Sequence, residues 1–226
     1  MATLNLTLDG ADRVVGFDKL IMAGYTGRNQ DEVRAHIEEL KAHGIPAPAK
    51  VPTLFACAPE LLTTAETITV LGDSTSGEAE FVLFVKGGEI LVGVGSDHTD
   101  RQLEETDIPR AKQLCAKVVS REVWRLSDLV GHWDELVLRA WVGEKGAETL
   151  YQEGPLARMM TPQAILECVQ ENITEPLEAA VVYSGTFAVI GGHFQALPVF
   201  TVELEDPRRR RKLHCAYRVR QMDYLK

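Results

Sequence analysis

The sequence predicts a mainly β chain of the α+β class, a mixed β-roll with few helices. Three observations carry this. Eleven segments have strand character against two that read clearly as helices. They are spaced by turns without regular strand-helix alternation, which favours an antiparallel or mixed roll over a doubly wound sheet. No G-x-G-x-x-G follows a strand and no phosphate loop occurs, since Gly93-Val94-Gly95 lacks the third glycine and the helix such a motif needs.

The elements follow in chain order. Leu4 to Leu8 alternates polar and apolar residues as a half-buried strand does, and strands over Val14 to Phe17 and Leu20 to Ala23 come next. Asn29 can cap a helix from about Gln30 to His43 that closes on Gly44, with Val33, Ile37 and Leu40 at helical spacing. The stiff connection Ile45 to Pro52 leads to strands at Thr53 to Ala56, Ile68 to Leu71, Gly77 to Lys86 and Glu89 to Ser96. Glu135 to Val142 is a further strand. Thr161-Pro162, a capping residue followed by proline at the first helical position, starts a helix to about Asn172. Strands at Glu178 to Ser184, Val199 to Leu204 and Leu213 to Val219 complete the chain, the last two flanking Asp206-Pro207 and the basic run Arg208 to Lys212, which reads as a solvated hairpin turn.

With 226 residues, 45% of them hydrophobic and 25% charged, the chain can bury one substantial core. No internal repeat or low-complexity linker divides it, so a single domain over residues 1–226 is expected. The 33 acidic and 24 basic residues leave a formal charge of −9, which opposes a phosphate backbone and argues against a nucleic-acid partner. The least polar stretch, Ala179 to Gly192, is interrupted by Tyr183, Ser184 and Thr186 and falls short of a membrane span of about 20 residues. The N-terminus lacks a basic region followed by an apolar run, so no signal peptide is expected and the mature protein is expected to start here. Cys57, Cys115, Cys168 and Cys215 lie far apart and form no C-x-x-C pair, as suits reduced thiols in a cytoplasmic protein. Trp124, Trp133 and Trp141 are expected in the core or at an interface.

The segment from Gly77 to Asp97 carries the most chemistry. A two-residue Gly87-Gly88 loop between apolar runs signals a hairpin that pairs Lys86 with Glu89, which sets Glu78 opposite Asp97. Side chains alternate along a strand and cross-strand partners share a face with Cβ atoms about 5 Å apart, so Glu78, Glu80 and Asp97 converge. Among apolar neighbours, three such charges cost several kcal/mol unless protons or a cation neutralise them. A solvated strand end with ordinary surface acids is the alternative. An oxygen-only trio favours a hard ion, Mg²⁺ or Mn²⁺, over zinc.

Further motifs stand around this cluster. Gly27-Arg28-Asn29 precedes His36-Ile37-Glu38-Glu39 and Pro52-Thr53-Leu54-Phe55, while Asp97-His98-Thr99-Asp100-Arg101, Ala111-Lys112-Gln113, Gln152-Glu153-Gly154 and Ser184-Gly185-Thr186 follow Glu78-Ala79-Glu80. In this order they resemble the fumarylacetoacetate hydrolase superfamily, and most closely a little-characterised branch of it, a domain of unknown function. The resemblance implies the β-roll of that superfamily's C-terminal domain, with Glu78, Glu80 and Asp97 as metal ligands. It also implies a lid over Thr26 to Pro48, a substrate-facing Lys112, and substrate contacts from Arg28, Arg101, Gly185 and Thr186. Three positions depart from the pattern: Asp100 stands for a small residue, Glu104 for a glutamine and Phe187 for a proline.

On this resemblance a metal held by the three carboxylates can chelate a 2-oxo acid or 1,3-dicarbonyl as a Lewis acid. His36 and Glu39 share a helix face, so Glu39 can orient an imidazole that takes a proton from water; two solvent-facing residues of a charged helix fit the same spacing. Lys112 and Arg101 can each meet an oxyanion or carboxylate, or serve as a snorkelling lysine and a structural ion pair. His98 is expected to pack behind the site. The expected activity is hydrolysis of a carbon-carbon or related acyl bond in a small oxo acid or acylpyruvate-like carboxylate. Decarboxylation, hydration or isomerisation on the same metal, or a non-catalytic binding role, stand as alternatives. A homodimer is expected from the resemblance.

Overall fold

The computed structural model describes residues 1–42 and 47–224, with the side chains at positions 36, 39, 40 and 42 outside that description. The described residues are mostly β, in two large sheets and a two-stranded pairing of Thr75–Ser76 with Thr99–Asp100. The larger has ten strands; its main path runs Ala11–Phe17, Ala2–Leu8, Glu122–Arg125, Glu89–Asp97, Ala79–Lys86, Ala180–Tyr183, Lys19–Gly24 and Thr53–Cys57. Lys117–Val119 pairs with the far end of Glu89–Asp97 and, in parallel, with Leu62–Thr63. A five-stranded sheet is ordered Thr149–Pro155, Val137–Val142, Val199–Asp206, Arg211–Gln221 and Thr67–Val70. Both sheets are mixed, with parallel pairs between Ala180–Tyr183 and Lys19–Gly24 and between Arg211–Gln221 and Thr67–Val70.

Strand alternation builds the core. Ala79, Phe81 and Leu83 join Val92 and Val94 in a cluster shared with Leu138, Val202 and Leu204 of the smaller sheet. Val82, Phe84 and Leu91 point the other way, into a second cluster with Leu6, Phe17, Leu20 and Met22. Each such side chain, fully buried, contributes about 1.5–3 kcal/mol relative to exposure. The even positions of Ala79–Lys86 therefore lie on the second face, and Glu80 belongs to that set.

All eleven expected strands are present, and Thr161 caps the helix Pro162–Asn172 by accepting from Ala164 N–H at 3.2 Å. The first helix spans Gln30–Ala42, where Asn29 Oδ1 accepts from Asp31 N–H at 3.1 Å and Val33 and Ile37 are buried. Its expected close on Gly44 lies outside the described residues. The expected strand from Gly77 begins at Ala79, and a separate short strand, Thr75–Ser76, precedes it. Strands not expected include Lys117–Val119, Glu122–Arg125 and Thr149–Pro155, as well as the short helices Arg101–Glu104 and Ile108–Gln113. They are short or broken by charge, and their pairing is non-local, which no window of sequence displays. The basic run forms the turn between Val199–Asp206 and Arg211–Gln221, with Arg208 on Glu135 and Arg211 on Asp206. Cys57, Cys115 and Cys215 are buried and unbridged, Trp124 and Trp133 are buried, and Trp141 is half-buried. No described helix is long and apolar enough to cross a membrane.

Candidate metal centre

The hairpin register places the acids. Pairing runs from Lys86 with Glu89 to Ala79 with Ser96, and one step further Asp97 N–H donates to Glu78 O at 3.0 Å. Gly87 and Gly88 both take positive φ, the backbone that a two-residue turn of this twist demands. One ligand oxygen from each of Glu78, Glu80 and Asp97 then lies within 4.8 Å of the others. Ala180–Tyr183 and Lys19–Gly24 run parallel and end at the same edge, so they deliver Gly185, Thr186 and Thr26 beside the acids.

Each acid has its own support. Asp97 receives Lys112 Nζ on Oδ2 at 2.5 Å and Lys117 Nζ on Oδ1 at 2.6 Å. Glu78 receives Lys112 at 3.2 Å and Arg101 Nη1 at 3.0 Å. Glu80 Oε2 accepts from Gly185 N–H at 2.7 Å. Burial pulls all three carboxyls towards the neutral form, but the lysines and Arg101 outweigh it at Asp97 and Glu78, which sit below their usual range. At Glu80 burial is reinforced by Asp97 and Glu78, and its carboxyl is raised well above the usual range. Lys112 is desolvated, yet Asp97 and Glu78 hold it firmly protonated.

Behind the acids is a hydrogen-bonded wall. His98 touches Tyr217 Oη through Nδ1 and Thr75 Oγ1 through Nε2, both at 2.9 Å. Tyr217 O–H donates to Ser96 Oγ at 2.8 Å, which assigns the proton to His98 Nδ1 and leaves Nε2 to accept from Thr75. Burial, Lys117 and Arg101 push this imidazole down to about 3, so it is neutral packing, as expected. Gln152 ties the strand end together, accepting from Ala79 N–H at 3.0 Å and donating to Thr186 Oγ1 at 2.8 Å and Phe187 O at 2.6 Å. Thr186 Oγ1 donates to Ala79 O at 2.7 Å, and Thr26 Oγ1 to Ser184 O at 2.5 Å.

The expected site residues thus separate into groups. Glu78, Glu80, Asp97, Arg101, Lys112, Gly185 and Thr186 lie together. Arg28 is engaged elsewhere: both its terminal nitrogens meet Asp134, at 2.7 and 2.8 Å, and Nε donates to Met159 O at 2.9 Å. His36 and Glu39 stand on the helix Gln30–Ala42, but their side chains lie outside the described residues. Lys117 is the residue that sequence reasoning missed. It is wholly buried and holds both Asp97 and His98 O at 2.6 Å. The available signal was a second Ala-Lys pair, Ala116-Lys117, close after Ala111-Lys112.

Oxygen donors at this separation are the donor set of a hard divalent cation, and the carboxylate oxygens keep lone pairs beyond those spent on the lysines and Gly185. The residues fit such an ion.

The fold is mostly β, and it is shared with solved structures described as fumarylacetoacetate hydrolase family proteins. A protein from Oleispira antarctica described as a candidate fumarylacetoacetate isomerase/hydrolase aligns with a TM-score of 0.66 at 21% identity, over 97% of this chain and 100% of that one. One from Yersinia pestis CO92, described as a candidate fumarylacetoacetate hydrolase family protein, gives 0.67 at 18%, over 95% and 99%. A 2-keto-3-deoxy-D-arabinonate dehydratase complexed with magnesium and 2,5-dioxopentanoate gives 0.65 at 16%, over 93% and 76%. Residues 23–217 match the family described as protein of unknown function DUF2848, and the chain belongs to that family. No curated protein matches the sequence.

Proposed function

We propose that this protein is a divalent-metal-dependent enzyme acting on a small 2-oxo acid or acylpyruvate-like carboxylate, and that it hydrolyses a carbon-carbon or related acyl bond. The observation that carries the reading is the convergence of Glu78, Glu80 and Asp97 oxygens within 4.8 Å. Mg²⁺ or Mn²⁺ suits that donor set and, when bound, supplies Lewis-acid polarisation of the substrate's oxygens.

The chain's own groups supply the rest. Lys117 and Gly185 fix Asp97 and Glu80 in place. Lys112 spends two of its three N–H groups on Glu78 and Asp97, and the third is available to a substrate carboxylate or oxyanion. His36 takes a proton from water and Glu39, three positions later on the same helix, orients its ring. Gly185 and Thr186 stand beside the acids, where they can contact substrate. Arg28 is held against Met159 and Asp134 at the start of the segment expected as a lid, Thr26 to Pro48, of which residues 43–46 lie outside the described residues, so a substrate would meet a guanidinium already paired within the chain. The protein works as a cytoplasmic homodimer.

A second reading, a lyase such as a dehydratase or decarboxylase on the same metal, is favoured by the magnesium-bound dehydratase that shares the fold. The test is turnover of acetylpyruvate and of oxaloacetate with Mg²⁺ or Mn²⁺ and with excess chelator. Metal-dependent release of acetate from acetylpyruvate supports hydrolysis, and loss of carbon dioxide from oxaloacetate alone supports the second reading. Absence of any metal binding by calorimetry removes both.

A further inference from the structure

Glu104 ends the short helix that Arg101 begins, and the two are joined: Arg101 Nη1 donates to Glu104 Oε2 at 2.7 Å and to Glu78 Oε1 at 3.0 Å. The remaining guanidinium edges are also engaged, Nε with Ser76 Oγ at 2.6 Å and Nη2 with Ser76 O at 3.3 Å. The Phe194 ring covers one face, its centroid 4.1 Å from Cζ. Arg101 is therefore a cation whose counter-anions the chain itself supplies. A substrate carboxylate reaches this guanidinium only by displacing Glu104.

Glu104 also stands at the mouth. Side-chain exposure among these charged residues rises from 0% at Lys117 and 1% at Asp97, through Lys112, Arg101 and Glu78, to 22% at Glu104. Through Arg101 Nη1, which it shares with Glu78, it is joined directly to the acid cluster. The charge balance of the metal-loaded site points the same way. With their carboxyls ionised, Glu78, Glu80, Asp97 and Glu104 leave one negative charge uncompensated by Arg101, Lys112 and Lys117, so a bound divalent cation gives a net charge of plus one.

We infer that Glu104 sets the charge of the substrate: by occupying Arg101 at the mouth, it selects 2-oxo acids with a single carboxylate and a neutral or hydroxyl-bearing remainder over those with a second carboxylate. This rests on the metal-dependent reading above. A monoanion balances the metal-loaded site, and a hydroxyl meets an acceptor in Glu104. A second carboxylate meets a like charge in a partly buried setting, where screening by water is weak.

The test uses 2-oxovalerate and 2-oxoglutarate, which share the 2-oxo acid group and differ in the distal carboxylate, titrated by calorimetry into the Mg²⁺-loaded parent and into Glu104→Gln. The parent should bind 2-oxovalerate at least about tenfold more tightly, a difference of about 1.4 kcal/mol. In Glu104→Gln that preference should shrink or reverse by about tenfold, with Mg²⁺ affinity within about threefold of the parent. A role of Glu104 in folding alone would change both ligands equally. An unchanged ratio in Glu104→Gln, or a parent that prefers 2-oxoglutarate, overturns the inference while the metal-dependent reading stands. Failure of both ligands to bind the Mg²⁺-loaded parent overturns that reading together with the inference. The parent measurement decides alone if the variant does not fold.

Discussion

Lys117 donates to Asp97 Oδ1 while Lys112 donates to Asp97 Oδ2, so each oxygen of one buried carboxylate holds a separate ammonium, at 2.6 and 2.5 Å. The two lysines differ in what surrounds them. Lys112 also meets Glu78 and lies 5.9 Å from the Phe55 ring centroid, whereas Lys117 is wholly buried and also donates to His98 O. Lys117 is an architectural cation, while Lys112 is the one that the proposed function assigns to substrate.

Lys117→Met should therefore lower stability by about 3 kcal/mol, since removing one member of a buried pair leaves the other charge and a carbonyl without their donor. Adding Asp97→Asn should recover part of that loss, because the unpaired charge goes too. Denaturant unfolding reads both. A single variant within about 0.5 kcal/mol of the parent would show that Asp97 needs only Lys112.

Glu80 gives a pH dependence of opposite sign to its neighbours. Its carboxyl is raised by burial and by Asp97 and Glu78, so its contribution is fully present below the ordinary glutamate value and is lost as pH rises through the raised one. Asp97 and Glu78 are lowered, and their contributions are lost only as pH falls through their depressed values. Chelator-treated protein should thus be most stable in mild acid and weaken towards alkaline pH. Glu80→Gln keeps an acceptor for Gly185 N–H, so it should flatten the alkaline decline while weakening Mg²⁺ binding by at least tenfold. Binding of Mg²⁺ to the parent should release protons, read as a dependence of the calorimetric heat on buffer ionisation. Heat independent of buffer, with an unchanged alkaline decline in the variant, would contradict this account.

Much of the site was legible because one short-range feature fixes it. Gly87-Gly88 admits a single tight turn, and the turn sets the register that brings Glu78 opposite Asp97. Arg101 and Lys112 were visible as charges near those acids, but their commitment to Glu78 depends on two short helices that no periodicity announces. Lys117 was hidden for a different reason. Its strand is three residues long, pairs with Leu62–Thr63 across a long loop, and places a lysine where burial normally excludes one. The partner that makes this burial tolerable, Asp97, is remote in sequence. Arg28 shows the converse case, a motif residue whose partners, Asp134 and Met159, come from elements the sequence does not connect to it.

Gly185 should tolerate no side chain. It sits at φ +82°, where a β-carbon would overlap Thr26 Oγ1 and press on Ala23 O at 3.0 Å, and its N–H serves Glu80. Gly185→Ala should cost about 2 kcal/mol or more from backbone strain and overlap, and should weaken Mg²⁺ binding through displacement of the Glu80 donor. Thermal unfolding with and without Mg²⁺ measures both. A variant with parental stability would show that the strand end after Tyr183 is free to move.

His36 separates the hydrolase from its alternatives, because its proposed work is to take a proton from water while Glu78, Glu80 and Asp97 hold the metal independently of it. General-base catalysis typically contributes on the order of 10²- to 10⁴-fold, so His36→Ala should lower acetylpyruvate hydrolysis by about that factor with metal affinity within about threefold of the parent. Glu39→Gln should cost less, since it disturbs the orientation and basicity of the imidazole without removing it. The three measurements fix different claims. Loss of metal affinity in His36→Ala would make the residue structural. Hydrolysis at the parent rate would place water activation elsewhere and end the dyad proposal. Abolished hydrolysis with surviving decarboxylation of a 2-oxo acid would make the lyase the protein's principal activity, because bond cleavage without attack by water needs the three carboxylates and Lys112 but no base on the helix.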